Sequence, residues 1–116
     1  MERTAKLNGK DIQLSSSLFT IISYRQIFGS ELFEDVDKLD KALQKNKNEI
    51  GKFVDILFRI IYVLHKPYTN DTYDQFLQKL DFAVLSDTKE LEDLVKVIGE
   101  LLGQISPNKG NTNSPR

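Results

Sequence analysis

The segment 48–65, NEIGKFVDILFRIIYVLH, constrains the fold more than any other part of the chain. Ten of its residues are large aliphatic residues or phenylalanine. Its polar side chains recur at the helical period and share one narrow face, while apolar side chains occupy the rest. These polar residues are Lys52, Asp55, Arg59 and Tyr62. A helix that is apolar on nearly all sides belongs inside a protein, so the sequence predicts a buried central helix.

A buried β-strand is the alternative interpretation of this segment, because isoleucine, valine and phenylalanine favour sheets. The segment is too long for one strand, and its polar positions keep the helical period. Asn46 or Asn48 can cap the start of a helix, and Pro67 stops it soon after His65. We therefore predict a helix that ends near His65.

The N-terminal residues predict a short β-hairpin. Asn8-Gly9 lies between two alternating arms in the segment 4–14, and both residue types tolerate the positive φ of a tight hairpin turn. Two strands this short are marginal alone. We expect them to pack against helices or to pair with another chain.

Amphipathic patterns on both sides of the central segment predict further helices. The first is capped by one of Ser15 to Ser17, runs to about Phe28 and ends at Gly29. Its predicted inner face is Leu18, Ile21, Ile22 and Phe28, flanked by Phe19, Tyr24 and Ile27. The second begins near Ser30, with a stripe of Leu32, Val36, Leu39 and Leu43 and a break near residues 35–37 left open.

Two more helices are predicted after the central segment. One is capped by Asp71 or Thr72 and carries the stripe Tyr73, Phe76, Leu77, Leu80 and Val84. The last begins at Asp87, which resembles a capping box with Glu90, and ends at Pro107. Its apolar face is Leu91, Leu94, Val95, Ile98, Leu101, Leu102 and Ile105.

These elements predict a mainly α fold, a bundle of about five helices around a buried central helix with a short N-terminal β-hairpin. Residues 1–105 are expected to form a single domain with residues 1–14 as its hairpin arm. Residues 106–116 contain no large apolar side chain and are expected to be a disordered tail.

Composition narrows the function. The chain has no cysteine, and its 16 basic and 17 acidic residues give a net charge of −1, which makes nucleic acid an unlikely partner. The longest apolar run, 53–64, falls short of the ~20 residues that span a bilayer, and residues 1–10 are too polar for a signal peptide, so we expect a soluble protein.

The sequence contains no catalytic pattern and predicts no enzyme, cofactor or metal site. The single histidine, His65, is interpreted as a helix C-terminal residue facing the helix dipole, with a catalytic base or metal ligand as the alternative. The acidic residues Glu31, Glu34, Asp35 and Asp37 lack the pattern of a calcium loop and are interpreted as a solvated helix start. Such a chain is expected to act by binding.

The block LFTIISYRQIFGSELFEDVDKLDKAL, residues 18–43, resembles the tail assembly chaperones of long-tailed phages, or siphoviruses, that infect Gram-positive bacteria. It follows the hairpin-like KLNGKDIQL and precedes the apolar helix 53–64. The most recognisable part is YRQIFG, residues 24–29, and the similarity is to the lactococcal phage type. The resemblance extends to about Leu102 and consists of pattern, size and helix order.

This resemblance implies a non-enzymatic role in the host cytoplasm. Members self-associate, as a ring or a spiral, and coat the tape measure protein, which stays soluble until the major tail protein polymerises around it. They are absent from the mature virion, and many are also made in a longer, frameshift-extended form. The alternative function is a small phage-encoded helical regulator or adaptor that binds another protein or nucleic acid.

Candidate client or self-association residues lie on three helices. Phe19, Tyr24 and Phe33 flank inner faces, so we expect exposure there first. The stripes of the second and last helices are further candidates, with packing on the central helix as the competing and favoured interpretation. The named stripe residues are Leu32, Val36, Leu39, Leu43, Leu91, Leu94, Ile98 and Leu102.

Overall fold

The structure is a computed structural model that describes residues 1–45 and 53–103, without the side chains of Leu43 and Lys45. Its strands are β1 (Glu2–Leu7) and β2 (Lys10–Ser15). Its α-helices are α1 (Leu18–Phe28), α2 (Leu32–Lys45), α3 (Val54–His65), α4 (Tyr73–Gln78) and α5 (Thr88–Gly103). Two 3₁₀ helices, Lys66–Tyr68 and Phe82–Ser86, follow α3 and α4. The predicted mainly α fold with a two-stranded hairpin is confirmed.

The hairpin forms where the Asn8-Gly9 pair predicted it. Asn8 has φ of 58° and Gly9 has φ of 79°, and Leu7 pairs with Lys10 across this turn. One face of the hairpin is apolar, and its residues Leu7, Ile12 and Leu14 are buried in the core. The hairpin packs with β1 against α5 and with β2 against α3, so helices bury its apolar face as expected.

Helix α3 is the buried central helix. It contacts β2 and the other four α-helices in the described part of the chain. Its predicted start at Asn46 or Asn48 lies outside the described residues, and the structure begins α3 at Val54. Tyr62 was predicted to lie on the polar face, but it is buried. Its burial is possible because its hydroxyl donates a hydrogen bond to the Asp71 carbonyl at 2.6 Å.

Helix α2 continues without a break through residues 35–37. The predicted helix after α3 is shorter than expected, since α4 ends at Gln78 and the chain turns before the 3₁₀ helix Phe82–Ser86. Thr72 caps α4 through a capping box with Gln75. The expected residues Phe76 and Val84 are nevertheless buried, because the two short helices together keep both side chains on the core.

Helix α5 starts as predicted, but its capping box is incomplete. The Asp87 carboxylate accepts a hydrogen bond from the Glu90 backbone N–H at 3.0 Å. The Glu90 side chain instead accepts from the backbone N–H groups of Asn8 and Gly9, at 2.7 and 3.0 Å. The predicted end at Pro107, the face residue Ile105 and the tail 106–116 lie outside the described residues.

None of the helices in the described ranges combines the length and apolar character needed to cross a membrane.

Candidate functional site

Three neighbouring apolar side chains on α1 face solvent. Leu18 is 68%, Phe19 46% and Ile22 49% exposed. They lie at i, i+1 and i+4, so they form one contiguous surface on the first turns of the helix. We call this surface the α1 apolar face. Leu18 and Ile22 were predicted to point inward, and that prediction was wrong.

Both ends of α1 are fixed by local sequence. At the start, the Ser17 side chain accepts a hydrogen bond from Phe19 N–H, and the Thr20 hydroxyl accepts one from Ser17 N–H, forming a capping box. At the end, Gly29 adopts a left-handed φ of 72° and donates its N–H to the Arg25 carbonyl at 2.8 Å. The exposed apolar side chains therefore sit on a well-terminated helix.

The inward side of α1 carries hydroxyl groups. Thr20, Ser23 and Tyr24 are its buried residues. Tyr24 was predicted to be an exposed contact residue, but it is 0% exposed and donates its hydroxyl to the Asp35 carboxylate of α2 at 2.6 Å. Burial first, and then this hydrogen bond, raise the pKa of the Tyr24 phenol far above its ordinary value. Asp35 is buried, so the solvated position predicted for it was also wrong.

An aromatic cluster fixes the rotation of α1. The Phe28 ring lies 5.1 Å from Tyr24 and 4.9 Å from Tyr73, measured between centroids, and edge-on to Tyr62 at 6.5 Å. The Arg59 guanidinium lies 5.4 Å from the centre of the Phe28 ring. Phe28 faces α3 and α4 in these contacts, and Tyr24 lies on the same side of α1 one turn earlier, so Leu18 and Ile22 are turned outward.

Helix α1 itself carries one charged residue, Arg25. Arg25, on the neighbouring helical position, pairs with Glu31 at 2.9 Å. Gln26 is exposed one turn after Ile22. An uncharged apolar surface of this kind suits the apolar stripe of another helix better than it suits an ionic ligand.

The structure separates the predicted contact residues. Phe19 is exposed as predicted, and Phe33 is half-buried and packs against the core. The stripe residues of α2 and α5 are buried within this chain and pack in its core. These residues are Leu32, Val36, Leu39, Leu91, Leu94, Ile98 and Leu102. The side chain of Leu43 lies outside the described part.

A second exposed apolar surface was not predicted from the sequence. Phe82 is 91% exposed, and it borders a shallow groove of about 280 Å³ that also includes Leu85. The remaining lining residues are Phe58, Leu77, Leu80, Asp81 and Val84. We call this surface the Phe82 groove. Phe82 is a large apolar residue that does not belong to the predicted stripe containing Leu80 and Val84. This position outside the stripe was the sequence signal that could have predicted its exposure.

His65 makes a structural contact at the end of α3. Its Nδ1 lies 2.8 Å from the Gln13 carbonyl oxygen, to which it donates. A groove of about 290 Å³ beside it includes Asp11 and Asp71, but these carboxylates pair with Lys6 and Lys79 at 2.8 and 2.7 Å. The two carboxylates beside His65 are therefore held by lysine side chains.

Neither the arrangement of metal-ligating side chains in the described residues nor similarity to known proteins indicates a further site. Among residues 1–45 and 53–103, no group of three or more histidine, cysteine, aspartate or glutamate side chains could hold a metal ion. A scan against protein-family models, a search of curated proteins and a search of solved structures each found no match for this chain.

Proposed function

We propose that this chain is a phage tail assembly chaperone that self-associates and binds the tape measure protein, keeping it soluble in the host cytoplasm until the tail is built. The chaperone would leave before the virion is complete. Two points support the proposal: the resemblance of residues 18–43 to that family, and an exposed apolar surface on the helix with which this block begins.

The α1 apolar face is the observation that carries the proposal. A soluble helix that serves only its own fold turns its aliphatic side to the core. Helix α1 instead buries Thr20 and Ser23 and exposes Leu18 and Ile22. Exposed neighbouring apolar side chains are costly for solubility and are typical of surfaces that bind a partner.

The chemistry of this face fits a long helical client. Leu18 and Ile22 lie one turn apart, which matches the spacing of apolar residues along a partner helix. One face of this size gives a weak contact. Self-association of the chaperone would link many such contacts, so that avidity holds the client while each contact remains exchangeable. Release then needs only competition from the polymerising major tail protein.

The test is co-expression with a fragment of tape measure protein, scored by the soluble fraction of the fragment. The variant Leu18→Gln/Ile22→Gln removes two of the three apolar side chains of the α1 apolar face, and we expect it to lose most of the solubilising effect. Ile27→Gln is the matched control, because Ile27 is 40% exposed on the same helix but lies on a different side from Ile22. Both variants should keep the wild-type melting temperature, since these side chains are exposed.

Two results would contradict the proposal. If the fragment stays insoluble when it is co-expressed with the wild-type chain, the chain does not solubilise the tape measure protein. If the wild-type chain and the Leu18→Gln/Ile22→Gln variant solubilise the fragment equally, the α1 apolar face does not bind the client. The alternative of a regulator that binds nucleic acid predicts binding that weakens steeply with salt, which filter binding at two salt concentrations would detect.

A further inference from the structure

Strand β1 has an open hydrogen-bonding edge. Met1 and Ser16 exchange both backbone hydrogen bonds, with the Ser16 N–H donating at 2.8 Å and the Met1 amino group at 3.1 Å. In an antiparallel pair, residues that bond across the ladder alternate with residues whose backbone groups point away from it. Following the register from this pair, the groups that point away from β2 belong to Glu2, Thr4 and Lys6. Within the part of the chain that the structure describes, these backbone N–H and C=O groups have no hydrogen-bond partner.

The outer edge of β2, by contrast, is covered by the fold. The Gln13 carbonyl lies 2.8 Å from His65 Nδ1, and the Ser15 carbonyl accepts a hydrogen bond from the Thr20 hydroxyl at 3.4 Å. Beside β1, α5 leaves a groove of about 410 Å³ that borders Lys6. An exposed strand edge is a template for another strand, and β1 presents this edge in the described hairpin.

We propose that β1 pairs antiparallel with β1 of a second copy of this chain, with Thr4 opposite Thr4 on a two-fold axis, so that the two hairpins form one continuous sheet. The inference gives the self-association in the proposed function a location, and in that respect rests on it. The contact uses the backbone of the hairpin, so the α1 apolar face stays free for the client.

The charges along β1 are the reason for choosing a second copy as the occupant. Pairing about Thr4 places Glu2 of each copy opposite Lys6 of the other, and the outward backbone groups of both residues bond across the new ladder. Opposite charges at facing positions stabilise a strand pair. Glu2 has no ionic partner among the described residues, whereas Lys6 pairs with Asp11 at 2.8 Å and keeps N–H donors for a second carboxylate. The edge is therefore complementary to itself under a two-fold axis.

The neighbouring registers fit less well. Only outward residues can face one another, so the pairing shifts from one outward residue to the next. One shift centres the pairing on Arg3 and sets two guanidinium groups opposite each other, which destabilises the pair. The other centres it on Ala5 and leaves Glu2 without a facing strand residue. A foreign strand would make the same backbone hydrogen bonds without the match of charges.

Charge reversal tests the register by sedimentation velocity across the micromolar range. We expect the wild-type chain to dimerise or to build larger species. Lys6→Glu sets glutamates opposite each other and Glu2→Lys sets lysines opposite each other, so each variant alone should raise the dimer dissociation constant about tenfold. An equimolar mixture of the two variants should recover wild-type association, because each chain supplies the charge that the other needs.

The matched control for these variants is Lys41→Glu. It also breaks an exposed lysine–aspartate pair, since Lys41 lies 3.0 Å from Asp37 on α2. We expect it to associate as tightly as the wild-type chain.

A disulfide test locates the two-fold axis. The chain contains no cysteine, so Thr4→Cys supplies the only thiol. Facing residues that exchange ladder hydrogen bonds have Cα atoms ~5.5 Å apart, which a disulfide can bridge. We expect oxidation to give a covalent dimer. Gln13→Cys is the matched control, because Gln13 is exposed and faces Thr4 from β2, one strand away from the proposed contact.

The outcomes separate this contact from the wider function. If the mixed variants associate no better than either alone, or Thr4→Cys gives no more covalent dimer than Gln13→Cys, the β1 contact is wrong, while self-association through another surface and client binding stand. If the wild-type chain is monomeric throughout, the contact and self-association both fail, and co-expression alone decides client binding. A Thr4 amide that exchanges slowly only when the tape measure fragment is present would assign the β1 edge to the client and overturn the inference. Recovery of association in the mixture, together with the Thr4→Cys dimer, supports it.

Discussion

At the scale of single residues, the hydrogen bond from Tyr24 to Asp35 acts together with the aromatic cluster around Phe28 to hold one side of α1 against the core. The two hydrogen-bonded groups are buried and 2.6 Å apart, and the ammonium group of the exposed Lys38 lies 3.7 Å from the same carboxylate. Tyr24→Phe would keep the ring and remove the donor. We expect a loss of about 1–3 kcal/mol in the free energy of unfolding, because the buried carboxylate loses a partner. Urea denaturation measures this loss.

The exposed Tyr68 provides the control for that substitution, since Tyr68→Phe should change stability little. The pH dependence gives a second readout. Burial raises the folded-state pKa of Tyr24, whereas the unfolded phenol ionises near pH ~10. Above pH ~10, the folded chain therefore binds more protons than the unfolded chain. The stability contributed by Tyr24 is lost as the pH rises from ~10 toward the folded-state pKa. A wild-type chain no more alkali-sensitive than Tyr24→Phe would contradict this assignment.

Sequence reasoning failed at Tyr24 for a physical reason. Helix α1 has two apolar sides, one with Leu18 and Ile22 and one with Tyr24 and Phe28, and local periodicity does not choose between them. The choice depends on partners far along the chain, namely Asp35 on α2 and Tyr73 on α4. A buried tyrosine hydroxyl also needs a hydrogen-bond partner, and the acceptor of Tyr24 lies on another helix.

At the scale of secondary-structure elements, Glu90 joins the hairpin to α5. Its carboxylate accepts both N–H groups of the turn residues Asn8 and Gly9. Glu90→Gln would keep one acceptor and place an amide N–H2 against the other donor. We expect a loss of about 1–2 kcal/mol in the free energy of unfolding. Amide exchange of Asn8 and Gly9 should accelerate more than exchange within α3.

The exposed Glu34 of α2 gives the matched control, because Glu34→Gln makes the same chemical change away from the hairpin. If the amide exchange rates of Asn8 and Gly9 are unchanged in Glu90→Gln, the hairpin turn is stable without the Glu90 carboxylate.

Elements defined by local signals were predicted well. The hairpin turn follows from Asn8-Gly9, and the end of α1 follows from Gly29, because each requires a positive φ that those residues tolerate. The length of α4 was overestimated, since apolar spacing alone continued the helix through residues that the structure divides between α4 and a 3₁₀ helix. The incomplete capping box at Asp87 depended on a contact with the distant hairpin, which no local pattern contains.

At the scale of the whole molecule, α3 is the helix around which the other described elements pack. Leu57, Ile60, Ile61 and Leu64 are fully buried, and β2, α1, α2, α4 and α5 all contact this helix. Removal of any of these elements would expose apolar surface on α3, at a cost of about 25 cal/mol for each Å². The central position of α3 was predictable because its own sequence is apolar on most sides, whichever helices surround it.

The shared contacts with α3 predict a single unfolding transition. Far-UV circular dichroism reports the helices, and tyrosine fluorescence reports the cluster of Tyr24, Tyr62 and Tyr73, since the chain contains no tryptophan. We expect the two signals to give the same urea midpoint and the same slope. A tyrosine transition at lower urea than the helical one would mean that α1 and α4 detach before α3 unfolds. In that case the α1 apolar face would belong to a mobile element, and its orientation would no longer be fixed by the aromatic cluster.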